Sequence, residues 1–202
     1  MNRTRRIRFW WIAAAFLCGV ATAMFAEELI LRAQGNRIDF SAPRLHYLTG
    51  RPLARLRNAE PIAFDFQVTL AASTQTNVVK QNTARFVISY DLWEERYAVT
   101  KVTPARKTAS HLTALEAEAW CVQEMSLLDL SGVAANQQLW ARMDIRAEDE
   151  RESRLFGRGN ITDAGISLTS LIERLSMPPK ATQPHWTVEA GPVTLEQLRR
   201  GG

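Results

Sequence analysis

The most constraining feature of the chain is a stretch, Ile62 to Leu70, in which apolar and polar side chains alternate strictly. Large apolar residues occupy the even positions, and Ala63, Asp65, Gln67 and Thr69 lie between them. A period of two is typical of a β-strand that has one face on a core and the other in water. The pattern therefore predicts a half-buried strand with Asp65 on its solvated face.

Two further segments predict a β-hairpin directly after this strand. Apolar residues alternate with polar ones along 78–93, and 96–103 (RYAVTKVT) is rich in β-forming residues. Glu94 and Glu95 form the bend between them. Shorter strands are predicted at 36–40, 138–147 and 185–189.

Helical spacing is strongest from Ala109 to Met125, where apolar residues recur at intervals of three and four. Thr113 and Glu116 have the spacing of a capping box. Shorter helical patterns lie at 49–59, 168–175 and 195–200. The order of elements favours a mainly β or α+β fold: an antiparallel, β-sandwich-like domain with one long helix and two or three short ones.

The N-terminus has the three parts of an export signal. Four arginines lie within residues 3–8, residues 9–26 are uncharged and mostly apolar, and Ala21 to Ala23 match a small-residue cleavage site. An uncleaved transmembrane anchor fits equally well, because a span needs about 20 apolar residues. We expect a signal peptide or anchor at 1–26, a membrane-proximal segment at 27–36 and a single extracytoplasmic domain at 37–200.

The formal charge of +4 belongs to this leader. Subtracting its four arginines from the 25 Lys and Arg residues leaves 21, equal to the 21 Asp and Glu residues. A neutral domain has no basic face for nucleic acid, so we expect no nucleic-acid partner. The membrane is an expected partner through residues 9–26 if the leader is uncleaved.

Several packing patterns resemble the DUF4390 family, bacterial envelope proteins of unknown function. The resemblance is carried by 53–56 (LARL) running into 61–66 (PIAFDF), by 90–97 (YDLWEERY), by 127–130 (LLDL), by the strand at 139–145 and by Trp186. It covers most of the chain after about Arg37. The resemblance implies an exported protein with no known catalytic residues.

No motif in the chain specifies a reaction. His46, His111 and His185 are too far apart in sequence for a metal-ligand pattern, and no nucleophile elbow, phosphate loop or dinucleotide fingerprint is present. Cys121 lies in an apolar helical stretch and is predicted to be a buried, inert thiol. The charged run at 148–154 is predicted to be a solvated loop. We therefore expect no catalytic residues, no metal and no cofactor.

Five residues form a possible interaction surface: Trp93, Trp140, Asp91, Glu94 and Glu95. The two tryptophans fall on the predicted outer faces of their strands, where they mark either a contact surface or a face covered by a second layer such as a helix. The carboxylates cluster at the predicted hairpin end, where they form a solvated turn or, in the alternative, an acid–base pair.

Three functions follow from these patterns. The first is a non-catalytic envelope domain that binds another envelope protein or acts as its accessory, located in the periplasm or on the outer side of the cytoplasmic membrane. The second is a module that binds a lipid or small apolar ligand between sheet and helix. The third is a hydrolase that uses Asp91, Glu94 and Glu95.

Overall fold

The computed structural model describes residues 29–128, 130, 132–149 and 168–200. The signal peptide or anchor predicted at 1–26 lies outside the described residues, and so do positions 150–154 of the charged run. None of the helices in the described ranges has the length and apolar character that a membrane crossing requires.

A six-stranded antiparallel sheet forms the body of the described region. Its strands are β3 (Ile62–Ala72), β4 (Val78–Asp91), β5 (Arg96–Thr103), β6 (Lys107–Leu112), β8 (Gln138–Ala147) and β9 (His185–Thr194). Their order across the sheet is β6-β5-β4-β3-β8-β9. The predicted antiparallel, mainly β class is therefore confirmed, and the hairpin predicted across Glu94 and Glu95 is the β4–β5 pair.

A smaller sheet has the order β1-β2-β7 and consists of β1 (Ile30–Gln34), β2 (Arg37–Ser41) and β7 (Leu127–Leu128). Part of the membrane-proximal segment expected at 27–36 belongs to the fold, because β1 pairs with β2. Leu29 and Leu31 are buried in the same hydrophobic core as the large sheet. The folded domain therefore begins before residue 37.

Four helices lie in the described ranges: α1 (Gly50–Arg57), α2 (Ala114–Gln123), α3 (Leu168–Ser176) and α4 (Leu195–Arg200). The long helix predicted at 109–125 was wrong at its start, because β6 occupies the preceding residues up to Leu112. The predicted capping box is confirmed: Thr113 accepts from the Glu116 backbone N–H, and the Glu116 side chain accepts from the Thr113 N–H.

The core lies on the face of β3 that carries the large apolar residues. Phe64 and Phe66 are fully buried. Tyr47, from the segment between β2 and α1, meets both rings edge-on at centroid distances of 5.2 and 5.5 Å. Such edge-to-face packing orients the rings as well as removing their surface from water.

The opposite face of β3 is not solvated along its whole length, which corrects the sequence expectation. Ala63 and Asp65 are each only 2% exposed. Helix α3 packs against β3 and β4 on this face. The guanidinium of Arg146 on β8 donates to the carbonyls of Arg174, Leu175 and Met177 at the end of this helix, at 3.0, 3.0 and 2.6 Å. A cation there satisfies carbonyls that the helix leaves without partners.

Candidate functional site

The turn between β4 and β5 is held in shape by Asp91. Its Oδ1 accepts hydrogen bonds from the backbone N–H groups of Trp93 at 2.8 Å and Glu94 at 3.0 Å. An Asp side chain that bonds the backbone two residues later favours a turn over continued strand. Glu95 closes the turn with a φ of 53°. Beneath it, the rings of Tyr90 and Tyr97 pack with centroids 4.8 Å apart.

Trp93 is the outermost side chain of this turn. It is 96% exposed, and its neighbour Leu92 is 52% exposed. The sequence pattern predicted that Trp93 lies on the outer face of a strand, and it did not decide whether a second layer covers that face. The structure instead places it in the turn beyond the strand end, and no described residue covers it. We name Asp91, Leu92, Trp93, Glu94 and Glu95 the turn surface.

The turn surface is acidic. Glu94 Oε2 lies 3.2 Å from Nε2 of His111 on β6, and both side chains are exposed. Hydrogen bonds from the backbone N–H groups of Glu94 and Trp93 lower the pKa of Asp91 below its ordinary value of 3.8. Three carboxylates therefore surround an exposed apolar pair.

This arrangement gives no support to acid–base catalysis by Asp91, Glu94 and Glu95. A general acid needs a pKa near the working pH, but the pKa of Asp91 is shifted downward. Neither of the two described pockets is lined by these carboxylates. The side chains of Leu92 and Trp93 in this turn are instead exposed to solvent.

Trp140 does not belong to the same surface. It lies on β8 opposite Ala71, which in turn pairs with Val78 at the start of β4. The turn lies beyond Asp91 at the other end of that strand, so the two tryptophans are on the order of 40 Å apart at about 3.3 Å per residue. Trp140 is half-buried and packs beside Gly191 of β9. It therefore lies outside the turn surface.

An apolar groove of about 240 Å³ lies between α2 and the segment that follows β2. Leu45, Leu115 and Val122 contribute its apolar lining. At its edge, Glu118 accepts from the Leu48 N–H at 2.7 Å and lies 3.0 Å from His46 Nδ1. Ligand sites usually have volumes of about 300–1,000 Å³, so the groove is small for a lipid chain. The space between sheet and helix, where the sequence placed this alternative, is filled with buried side chains.

Sequence reasoning missed a buried charge cluster on the outer face of the large sheet. Asp65 pairs with Arg85 on β4, and Arg174 of α3 approaches the same carboxylate. Glu148, predicted to lie in a solvated loop, is only 7% exposed. The available signal was the hairpin register, because aligning Ile62 with Ile88 places Asp65 opposite Arg85.

The remaining chemical groups behave as ordinary structural residues. Cys121 is fully buried, as predicted, and burial raises the pKa of its thiol to about 12. His46, His111 and His185 are exposed to solvent in varying degree. Within the described ranges, no group of His, Cys, Asp and Glu side chains is placed to hold a metal ion.

Comparisons with known proteins identify no relative of this chain. No protein-family model, no curated protein and no solved structure matches the chain.

Proposed function

We propose that this chain is a non-catalytic, extracytoplasmic accessory domain that binds another envelope protein through the turn surface. The observation that carries the proposal is Trp93, an exposed tryptophan at the tip of a hydrogen-bonded turn. The export pattern at 1–26 and the resemblance to the DUF4390 family, which both stay predictions, are consistent with this role.

The exposure of Trp93 favours binding because it leaves a large apolar area in water. A tryptophan buries about 150–250 Å² when it enters a protein environment. Tryptophan is also enriched among the few interface residues that dominate affinity. Asp91 already fixes the turn, so little conformational entropy remains to be lost on binding.

The charges around Trp93 indicate the chemistry of the partner. Asp91, Glu94 and Glu95 lie beside the apolar pair, and Arg96 is the adjacent basic residue. The matching surface is an apolar pocket edged by Lys and Arg side chains. Such a rim steers association and rejects acidic partners. The same acidic residues disfavour an anionic lipid surface, so a protein is the partner we propose.

The test is site-specific photo-cross-linking in the native envelope. A photoreactive phenylalanine analogue replaces Leu92, which lies beside Trp93 and is 52% exposed, in one variant and Val78 in a control variant. Val78 is half exposed and lies at the opposite end of β4. We expect a discrete cross-linked partner from position 92 and none from position 78. The same partner from both positions, or no partner from position 92, would refute the proposal.

Two substitutions then separate an interface from an unrelated contact. Trp93→Ala should weaken binding of the captured partner at least about tenfold, as expected for an anchor side chain. Glu94→Lys with Glu95→Lys should slow association and reverse its salt dependence. If binding is unchanged in both variants, the turn surface is not the interface.

The location is tested separately, by fractionating the host and sequencing the mature N-terminus. A product beginning near Met24 in the soluble extracytoplasmic fraction supports export with cleavage. An intact N-terminus that stays with membranes through a carbonate wash supports an anchored domain. A chain found in the cytoplasm would contradict the proposed location.

A further inference from the structure

The turn surface alone is smaller than a stable protein interface. A standard interface buries about 800 Å² on each partner, whereas one tryptophan supplies about 150–250 Å². A partner that takes up Trp93 therefore also contacts neighbouring residues. The edge strand next to the turn is β6, because His111 Nε2 lies 3.2 Å from Glu94 Oε2 and Leu112 pairs with Tyr97.

Strand β6 has one open side. It pairs with β5 and with no other strand of the sheet. Within the described ranges, no backbone group of β6 bonds to a backbone group outside β5. Alternate residues of an antiparallel strand point their N–H and C=O groups away from the paired neighbour. Those groups of β6 form a template for pairing with another chain.

The side chains of β6 leave this edge without a free charge. Proteins often protect an edge strand with a lysine. Lys107 is the lysine of β6, but its Nζ lies 3.0 Å from both carboxylate oxygens of Glu124. Glu124 follows α2, which packs against β5 and β6, so this charge is held on the face that α2 covers. The residues at 108–110 are threonine, alanine and serine, which are short and uncharged. A second backbone can therefore approach the edge closely.

The regular part of the edge is short. Residues 107–109 stay in register with β5, but the register shifts between Val99 and Tyr97, so β6 carries an extra residue before Leu112. His111 lies at this shift and has a φ of 62°. A bulge bends a strand and interrupts its pairing. The edge that is open to regular pairing is therefore 107–110.

We propose that the protein bound by the turn surface adds an extended segment to β6, as a short strand beside 107–110. This inference rests on the proposed function, since a strand pair of this length is too weak to hold alone and needs Trp93 as its anchor. Strand addition gains affinity from main-chain hydrogen bonds, which here satisfy the outward groups of β6. The partner is thus a protein that carries an extended segment beside an apolar pocket.

The first test is photo-cross-linking in the native envelope from three positions, each carrying the photoreactive phenylalanine analogue. Leu92 reports on the turn surface and Thr108 on the β6 edge. Glu189 is the matched control, because it is an exposed residue on β9, the strand at the other edge of the sheet. We expect the same protein to be captured from positions 92 and 108 and none from position 189.

The outcomes separate the two proposals. Capture from position 92 but not from 108 would overturn strand addition and leave the turn surface as the interface. The same protein from all three positions, or a product made of two copies of this chain from position 108, would also overturn strand addition. If neither 92 nor 108 captures a protein, both proposals fail.

Proline variants test whether the backbone of β6 makes the contact. Neighbouring residues of a strand turn their N–H groups to opposite sides, so either Thr108→Pro or Ala109→Pro removes an outward donor. Proline is tolerated only where the N–H faces away from the sheet, so urea unfolding identifies that variant by its retained stability. If both variants lose stability, neither N–H points outward and the proposal fails.

The stable proline variant then carries the analogue at position 92. We expect its cross-linking yield to fall at least about tenfold, because the partner's acceptor loses its donor and the proline ring blocks the approach. Thr108→Ala keeps every N–H and serves as the control, so its yield should equal that of the parent chain. An unchanged yield in the proline variant would overturn strand addition.

Discussion

Asp65 on β3 and Arg85 on β4 face each other directly across the sheet and form a buried ion pair with two hydrogen bonds. Arg85 Nε and Nη2 donate to the two carboxylate oxygens at 2.6 and 2.7 Å. The side chains are 3% and 7% exposed. A fork-to-fork geometry of this kind offsets much of the cost of burying two charges.

Removing one partner of this pair should be strongly destabilising. We expect Asp65→Asn to lower the free energy of unfolding by about 3–5 kcal/mol, because Arg85 is left buried without its counter-charge. Urea unfolding followed by tryptophan fluorescence measures the change. Arg174 also approaches Asp65 and would lose the same counter-charge, so we do not expect a small effect.

The control for this prediction is an exposed pair on the same sheet. Arg142 and Glu189 lie 3.3 Å apart and are 53% and 61% exposed. Glu189→Gln should change the free energy of unfolding by less than about 1 kcal/mol, since exposed pairs are screened by water and salt. Equal costs at the two sites would show that burial does not set the value of the Asp65–Arg85 pair.

Elements with one buried face were predictable from the sequence, because apolar residues recur along them at the period of the buried face. The strand predicted from Ile62 extends only two residues further than expected, and 96–103 and 138–147 agree with the observed bounds. Strand β6 was missed because its side chains are mostly exposed on both faces, so no alternation marks it.

The candidate sites were less predictable because their surroundings come from distant parts of the chain. Asp65 looks solvated within its own strand, and only α3, more than 100 residues later, buries it. Trp93 fits a strand pattern equally well, but the Asp91 hydrogen bonds end the strand before it. Local patterns cannot supply either fact, since both depend on tertiary contacts or on turn chemistry.

Trp93 should contribute almost nothing to folding. We expect Trp93→Ala to change the free energy of unfolding by no more than about 0.5 kcal/mol, because the side chain is 96% exposed. Phe66→Ala, at a fully buried aromatic residue, should cost about 3–5 kcal/mol. Denaturant titration of both variants makes the comparison. A large cost for Trp93→Ala would mean that the turn surface is covered within the chain.

Cys121 should resist alkylation in the folded protein. The thiolate is the reactive form, and burial raises the pKa of this thiol to about 12, so little thiolate forms at pH 8. We expect no iodoacetamide adduct on the Cys121 peptide by mass spectrometry under native conditions and full labelling in guanidinium. Rapid native labelling would show that the core around α2 opens readily.

Glu148 should make the folded state less stable as the pH rises. Burial raises the pKa of its carboxyl group in the folded protein above the ordinary value of 4.5 that applies to the unfolded chain. The folded state therefore holds this proton more tightly than the unfolded state does. The stability that the protonated form provides is complete below pH 4.5 and is lost as the pH rises through the folded-state pKa.

Glu148→Gln isolates this effect, because glutamine is a neutral group of the same shape. We expect the variant to be more stable than the parent chain at pH 7 and nearly equal to it at pH 4. Urea unfolding of both proteins across this range measures the difference. If the parent instead gains stability over the variant as the pH rises, the surrounding arginines lower the pKa of Glu148 by more than burial raises it.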